Sequence, residues 1–483
     1  MTVQTATQTI ANVIGGQERP AASGKTFQKR APATGEVISL AARSNAEDVG
    51  AAVAAAAAAQ PAWARTPGPE RGRILRALAQ LLERDAEAVA AIVSAETGKS
   101  PRDAAGETGG AIEMGYFVAG EGRRLYGKTT TSGVPHRHVS IIRQPLGVAG
   151  LIIAANTPIA NVSWKVFPAL MCGNAAVLKA SEDAPQTALA FARLAAEAGV
   201  PDGVLNVVQG LGPEAGAALV EDERVAVVSF TGSTAVGRLI ARVAGERLAK
   251  VCLELGGKNP LIVCDDADLE RAADTAALSA YSNAGQRCAA GSRIIVFDAI
   301  YEKFKELLLE RTSRQRVGST DEDDFGPVIN ERQLDNMLAK VRDAKAAGAT
   351  VLAGGERLDR PGFYMAPTLI EGSDDLSSTE LFGPITTLHR VGGFEDAIVL
   401  ANDSPYGLTA AIWTDSMHRG QEFVARIVSG VASVNGPTYG SEPHWPFGGL
   451  KDSGTGWREA GTEALDVYSD LKTVHITHDP QRA

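Results

Sequence analysis

Cys288 lies in NAGQRCAAGSR, between a helical pattern and a strand pattern. Small polar residues surround it and Arg287 adjoins it. A positive neighbour at such a junction favours the thiolate, the reactive form of the side chain. A thiolate can attack a carbonyl carbon and split a difficult oxidation into two easier steps. The other cysteines, Cys172, Cys252 and Cys264, sit in apolar runs and read as buried structural thiols. Glu254, in CLELGGK, interrupts an apolar strand pattern between Leu253 and Leu255. Burial raises a carboxyl pKa because the charged form loses its hydration. Glu254 is therefore either a salt-bridged core residue or a general base tuned toward neutrality.

Two further segments could hold a nucleotide. FTGSTAVG, Phe230 to Gly237, reads as a strand end, a turn through Gly232 and Ser233, and a helix start. Helix N-termini hold phosphates, but the spacing is not GxGxxG and an ordinary turn fits equally. VLKASED, Val177 to Asp183, puts Lys179 and Glu182 just past a strand, at the carboxyl end of a parallel sheet where nucleotides bind. They could grip ribose hydroxyls; a solvated loop is the other reading.

These residues sit in a chain of alternating short strands and helices. From Gly147 the patterns run GVAGLIIAAN (strand), NVSWKVFPALMCG (helix), AAVLKAS (strand), PQTALAFARLAAEAG (helix closed by Gly199), VLNVVQG, PEAGAALVED, AVVSFTGS and STAVGRLIARVAG. Strands separated by helices of this length predict βαβ crossovers and a mostly parallel, doubly wound α/β sheet. After Lys250 a second series begins with KVCLELGG and PLIVCDD and predicts a second α/β domain. Upstream, the alanine-rich run from Ala51 predicts a helix opened near Asn45 and closed at Gln60-Pro61. Thr129 to Pro145 reads as a β-hairpin or extended arm, and LKTVHITH near the end alternates like an edge strand that pairs with that arm or with another subunit.

The composition is that of a globular chain and excludes several classes of partner. At ~150 residues per domain, 483 residues suggest three domains or two large ones. Forty-seven basic against 57 acidic residues give a net charge of −10, with no Lys/Arg block, which argues against nucleic acid or an anionic membrane as partner. No CxxC or HExxH occurs, so neither a disulfide framework nor a structural metal site is expected. The longest apolar stretches fall well short of the ~20 residues that span a bilayer. With no signal-peptide pattern at the start, the expectation is a cytoplasmic protein.

FTGS, LELGGK and GQRC occur in that order, with ETGK at Glu96, ELFGP at Glu380 and PFGG at Pro446. Over residues 20 to 478 the chain resembles the aldehyde dehydrogenase superfamily. The resemblance implies a thioester mechanism: Cys288 as nucleophile, Glu254 as base for the deacylating water, and Asn156 as oxyanion donor. It implies NAD as cofactor, with NADP possible. Lys179 and Glu182 would hold the adenosine ribose; Gly232, Ser233 and Gly237 the dinucleotide turn; Leu255, Glu380 and Phe382 the nicotinamide end. The family fold implies a Rossmann-like cofactor domain (1–251, interrupted by an arm at 124–144), a catalytic domain (252–435), a return to the cofactor domain (436–469), and residues 470–483 joining the arm. The arm implies a homodimer or homotetramer. A CoA-acylating relative generally lacks the glutamate, and a catalytically silent one would have lost it or the cysteine; both residues are present.

The chain departs from the family where Ala154-Ala155-Asn156-Thr157 replaces the usual Pro-Trp-Asn-Phe. Thr157 in place of an aromatic, with Asn161, Ser282, Arg287 and Ser441, implies a wide, polar substrate tunnel, with Trp164 and Trp445 as stacking faces. EPH before PFGG resembles the benzaldehyde and vanillin dehydrogenase branch and turns the reading toward an aromatic aldehyde. The alternative is an ω-carboxy semialdehyde, of the succinate or 2-oxoglutarate type, bound by Arg287, since a guanidinium grips a carboxylate bidentately.

Overall fold

The computed structural model describes residues 8–372, 376 and 378–482. Two seven-stranded sheets carry the fold. The first runs, in spatial order, Lys250–Glu254, Val225–Thr231, Val148–Ile152, Ala175–Lys179, Leu205–Val208, Asn12–Ile14, Gln17–Arg19. Its first five strands are parallel and its last two antiparallel. Ala176 and Leu178 point into one apolar cluster and Ala175 and Val177 into another, so both faces are covered. That is why these strands read as continuous apolar runs. The second sheet is built from Asn259–Val263, Gly291–Phe297, Ile385–Val391, Thr409–Trp413 and neighbours, again buried on both faces.

Lys250–Glu254 hydrogen-bonds to Val225–Thr231 in the first sheet, whereas the sequence pattern puts it at the head of the second series. A strand buried on both faces carries no local mark of the sheet it joins. The strand Ser469–Thr477 pairs antiparallel with Arg137–Pro145, which also pairs with Lys128–Thr130, so the tail and the hairpin form one three-stranded arm.

The alanine-rich helix runs Ala46–Arg65 and does not stop at Pro61. Asn45 caps it through the N–H groups of Glu47 and Asp48, while Asp48 accepts from the Asn45 N–H. Proline removes one helical donor. Beyond it Trp63 is buried and its indole N–H donates to Leu170 O at 2.9 Å, which anchors the last turn.

The helices Pro158–Met171 after Thr157 and Pro185–Glu197 after Ala184 begin without a side-chain cap of their own. Carboxylates from an earlier helical region serve instead. Glu107 accepts from the N–H groups of Ile159 (2.9 Å) and Ala160 (3.3 Å). Glu96 accepts from those of Gln186 (2.7 Å) and Thr187 (2.9 Å). Each satisfies donors that the first helical turn leaves open.

Candidate active site

The carboxyl ends of the parallel strands in the first sheet open toward the second. Between them lies a cavity of about 760 Å³. Thr231, Gly232 and Ser233 line it from the end of one strand, and Glu254, Leu255 and Gly256 from its neighbour, whose register pairs Thr231 with Glu254. Asn156 and Thr157 follow Val148–Ile152, and Cys288 enters with Asn283 and Arg287 from the loop before Gly291–Phe297.

The cysteine loop is held in an unusual backbone. Asn283, Ala284 and Gly285 follow one another with φ of 54°, 53° and 64°. Left-handed non-glycine residues cost energy and persist only where surroundings enforce them. Here Gln286 does so: its Oε1 accepts from the Ile329 N–H at 2.9 Å and its Nε2 donates to Pro327 O at 3.3 Å. At Gly285 a Cβ would lie 2.0 Å from Gly383 O, so only glycine fits. Asn259 Nδ2 donates to Cys288 O at 2.8 Å and fixes the nucleophile's backbone.

Asn156 is tied to the same loop. Its Nδ2 donates to Gln286 O at 3.0 Å, which leaves the second N–H of the amide for another acceptor. Asn283 Nδ2 donates to both Asn156 O and Gln286 O, each at 3.2 Å, and closes a ring of hydrogen bonds.

Burial pushes the Cys288 thiol up to about 12, and the carboxylates of Glu380 and Glu254 push it the same way. Arg287 pulls it down but does not prevail, so the thiolate expected from its positive neighbour is not the resting form. Glu254 is held well above the usual carboxylate range by burial and by the nearby Glu459 carboxylate, against Lys165 and Arg458. Neither Glu254 oxygen has a hydrogen-bonding partner among the described residues. Glu459 itself accepts from Lys165 Nζ at 2.6 Å and Ser229 Oγ at 2.5 Å. Glu254 is thus not a salt-bridged core residue: Glu459 takes that place and leaves Glu254 a lone, proton-seeking carboxylate.

Of the residues expected to hold a cofactor, Gly232, Ser233, Leu255, Glu380 and Phe382 line the cavity. Ser233 caps the helix Thr234–Glu246, whose N-terminus therefore faces it. Glu380 Oε1 accepts from the Gly257 N–H at 3.0 Å, and a Cβ on Gly256 would strike Glu380 Oε2 at 2.0 Å. Lys179 and Glu182 form an ion pair of 2.9 Å past the end of their strand and do not line the cavity itself. Burial raises Glu182, but Lys179 outweighs it and holds the carboxyl below its usual value. Gly237 lies under Leu255, where a Cβ would come within 2.5 Å of Leu255 Cδ2. Helix N-terminus, glycine turn, carboxylates and lysine make a donor set that fits a dinucleotide with its phosphates and ribose hydroxyls.

Thr157, Asn161, Trp164, Arg287 and Ser441 line the cavity. Asn161 Nδ2 donates to Thr157 O and Thr157 Oγ1, so the two act as a unit. Ser282 and Trp445 do not line it. Ser282 ends the helix Leu269–Tyr281 with its hydroxyl buried. Trp445 is 49% exposed and packs on His444, so it offers no stacking face inside. Phe447 and Tyr439 do: Phe447 meets Trp164 edge-on at 5.8 Å, and Tyr439 lies under the Arg287 guanidinium at 4.6 Å. Sequence patterns also passed over Lys99, Glu107 and Glu459, which reach the cavity from distant segments.

The aldehyde dehydrogenase family model matches residues 19–474. The alpha-ketoglutaric semialdehyde dehydrogenase of Bacillus subtilis is 39% identical over 99% of this chain and 100% of its own length, and its Haloferax volcanii counterpart 38% over 97% and 99%. A mitochondrial benzaldehyde dehydrogenase of Antirrhinum majus is 38% identical over 96% of this chain and 88% of its own. The crystal structure of betaine aldehyde dehydrogenase from Staphylococcus aureus in complex with NAD+ superposes with a TM-score of 0.95 at 33% identity, covering 98% of this chain and 95% of that one.

Proposed function

Because the chain belongs to the aldehyde dehydrogenase family, we propose that it oxidises an ω-carboxy semialdehyde of the 2-oxoglutarate semialdehyde class to the dicarboxylic acid, with NAD+ as acceptor. The observation that carries the substrate class is Arg287. Its guanidinium lies on Tyr439 in the cavity wall beside Cys288, its Nε is buried without a partner, and no carboxylate among the described residues pairs with it. Arg287 is only partly buried, and a guanidinium without a carboxylate partner at a cavity wall can take up a ligand carboxylate bidentately. The full-length likeness to two semialdehyde dehydrogenases supports the same reading. An aromatic substrate loses Trp445 as a stacking face but finds Trp164, Tyr439 and Phe447 in the lining, so the aromatic side chains do not separate the two substrate classes.

Cys288 must shed its proton before it attacks, and Glu254 is the carboxylate facing the same cavity that can take it. Sγ then bonds to the carbonyl carbon. The free N–H of Asn156 donates to the resulting oxyanion, an interaction worth about 3 kcal/mol. Leu255 and Phe382 would flank the nicotinamide end of NAD+, which when bound would supply the two-electron acceptor for the hydride. Gly232 and Ser233 would hold its pyrophosphate, Glu380 the nicotinamide ribose, and Lys179 and Glu182 the adenosine ribose. The charge of Glu182 opposes a 2′-phosphate. As the hydride leaves the former aldehyde carbon the oxyanion collapses to the thioester, and Glu254 gives its first proton to solvent. Glu254 then takes a proton from water, the water oxygen bonds to the thioester carbon, and the C–S bond breaks to release the acid, the proton on Glu254 restoring the thiol.

The arm supports a homodimer or homotetramer: Leu471 and Ile476 are 56% and 64% exposed on it. Light scattering on the purified protein tests this.

The substrate class is tested by kcat/KM for NADH formation with 2-oxoglutarate semialdehyde, succinate semialdehyde and benzaldehyde, with and without CoA. A carboxylate-bearing substrate should lead and CoA should have no effect. Benzaldehyde outperforming both semialdehydes overturns the substrate class, and a strict need for CoA overturns hydrolysis.

A further inference from the structure

Lys99 and Glu107 form an ion pair at 2.5 Å, both about 5% exposed, against the loop that carries Asn156. Lys99 Nζ also donates to Asn156 O at 2.9 Å. The second carboxylate oxygen of Glu107 accepts from the N–H groups of Ile159 and Ala160, three and four residues beyond Asn156. The two ends of the segment 156–160 are therefore gripped by one ion pair from a different part of the chain. Gly98, at φ 76°, turns Lys99 inward, and a Cβ there would lie 2.4 Å from Pro327 Cγ. Among the described residues no other side chain accepts from Lys99 Nζ, and Thr157 offers the helix no cap.

We propose that Lys99 and Glu107 are positioning residues for the oxyanion donor Asn156, acting on its backbone and not on the substrate. This rests on Asn156 being that donor. Lys99 pins the carbonyl oxygen of Asn156 from one side while Asn283 Nδ2 pins it from the other at 3.2 Å. With the peptide so held, only χ rotation remains for the amide, and its bond to Gln286 O removes that freedom too. The pair spends no group on the reacting atoms. Its effect is to keep the free N–H of Asn156 where the oxyanion forms, and a displacement of 1 Å at such a donor can cost about 10²-fold in rate.

Removing either charge alone leaves its buried partner uncompensated and threatens folding. The test is therefore the neutral double variant Lys99→Met/Glu107→Gln, with the charge-keeping Glu107→Asp as the milder second variant, each also made in an Asn156→Ala background. Thermal melting and KM for NAD+ accompany kcat. Asn156→Ala should lower kcat about 10²-fold or more. The double variant should lower kcat about tenfold with KM for NAD+ unchanged, and should cause no further loss once Asn156 is alanine. A full tenfold loss in the Asn156→Ala background, or an unchanged kcat in the folded double variant, overturns the positioning role. If Asn156→Ala itself leaves kcat unchanged, the oxyanion assignment falls first and this inference with it.

Discussion

Asn156 Nδ2 donates to Gln286 O at 3.0 Å, so the loop after one sheet's strand is tied to the backbone two residues before Cys288. The nucleophile and the amide that faces it come from different halves of the chain, 130 residues apart along the bond that joins them. Motion of one sheet against the other would separate them without it. Four predictions follow from the geometry around this tie.

Cys288→Ala should abolish NADH formation while leaving NAD+ binding, measured by fluorescence titration, intact. In the cofactor-free protein, alkylation of Cys288 by iodoacetamide should be slow at neutral pH. It should still be climbing at about pH 10, where a free thiol of pKa about 8.5 has levelled off. This follows from a thiol pushed up to about 12 by burial and two carboxylates. A plateau near neutrality, read by peptide mass mapping, contradicts it.

Glu254→Gln should trap the acyl group on Cys288 as added mass on the intact protein. In the wild type, deacylation should rise with pH on a limb above the ordinary carboxylate range, because burial and Glu459 hold the proton on Glu254. Glu459→Gln removes the neighbouring negative charge and leaves Lys165 uncompensated. Both changes favour ionised Glu254, so that limb should move to lower pH. Stopped-flow deacylation across pH reads the direction, and a shift to higher pH refutes it.

Glu182→Ser should raise kcat/KM for NADP+ and lower it for NAD+. The change frees Lys179 from its 2.9 Å partner and leaves a lysine without a carboxylate beside a 2′-phosphate. A cofactor ratio unmoved by the substitution places recognition elsewhere.

Arg287→Leu should cut kcat/KM for 2-oxoglutarate semialdehyde by about 10–100-fold more than for benzaldehyde, the worth of a charge-assisted hydrogen bond. Some loss with both substrates is expected, since Arg287 also opposes the upward shift of the Cys288 thiol. The ratio of the two losses is the measurement; equal losses dissociate Arg287 from the substrate carboxylate.

Much of this site was legible where a residue and its chemistry lie within a few positions. Cys288 in GQRC and Glu254 in LELGGK, whose local settings suggested chemistry, line one cavity with Asn156, which only the family resemblance marked. What was not legible arises between segments. Arg287 is next to Cys288 in sequence, yet burial and carboxylates from two other loops decide the thiol's proton affinity. Lys99 ends the ETGK segment, but nothing there points to Glu107 eight residues on; the two meet against the loop that carries Asn156. Pro61 reads as a helix end because the local rule is right about its missing donor; Trp63, docked on Leu170, overrides it from outside the helix. The pattern also could not say which sheet Lys250–Glu254 joins, since a strand covered on both faces looks alike in either.

The helices Pro158–Met171 and Pro185–Glu197 start on carboxylates supplied by Glu107 and Glu96. Both capping carboxylates precede, in chain order, the helices that use them. During synthesis, which releases the N-terminal residues first, each cap leaves the ribosome before the turn it completes. Neither helix has to wait for a later part of the chain to finish its first turn. A circular permutant opened at the exposed arm between residues 130 and 137 would reverse that order, and the same native contacts would then have to be closed backwards.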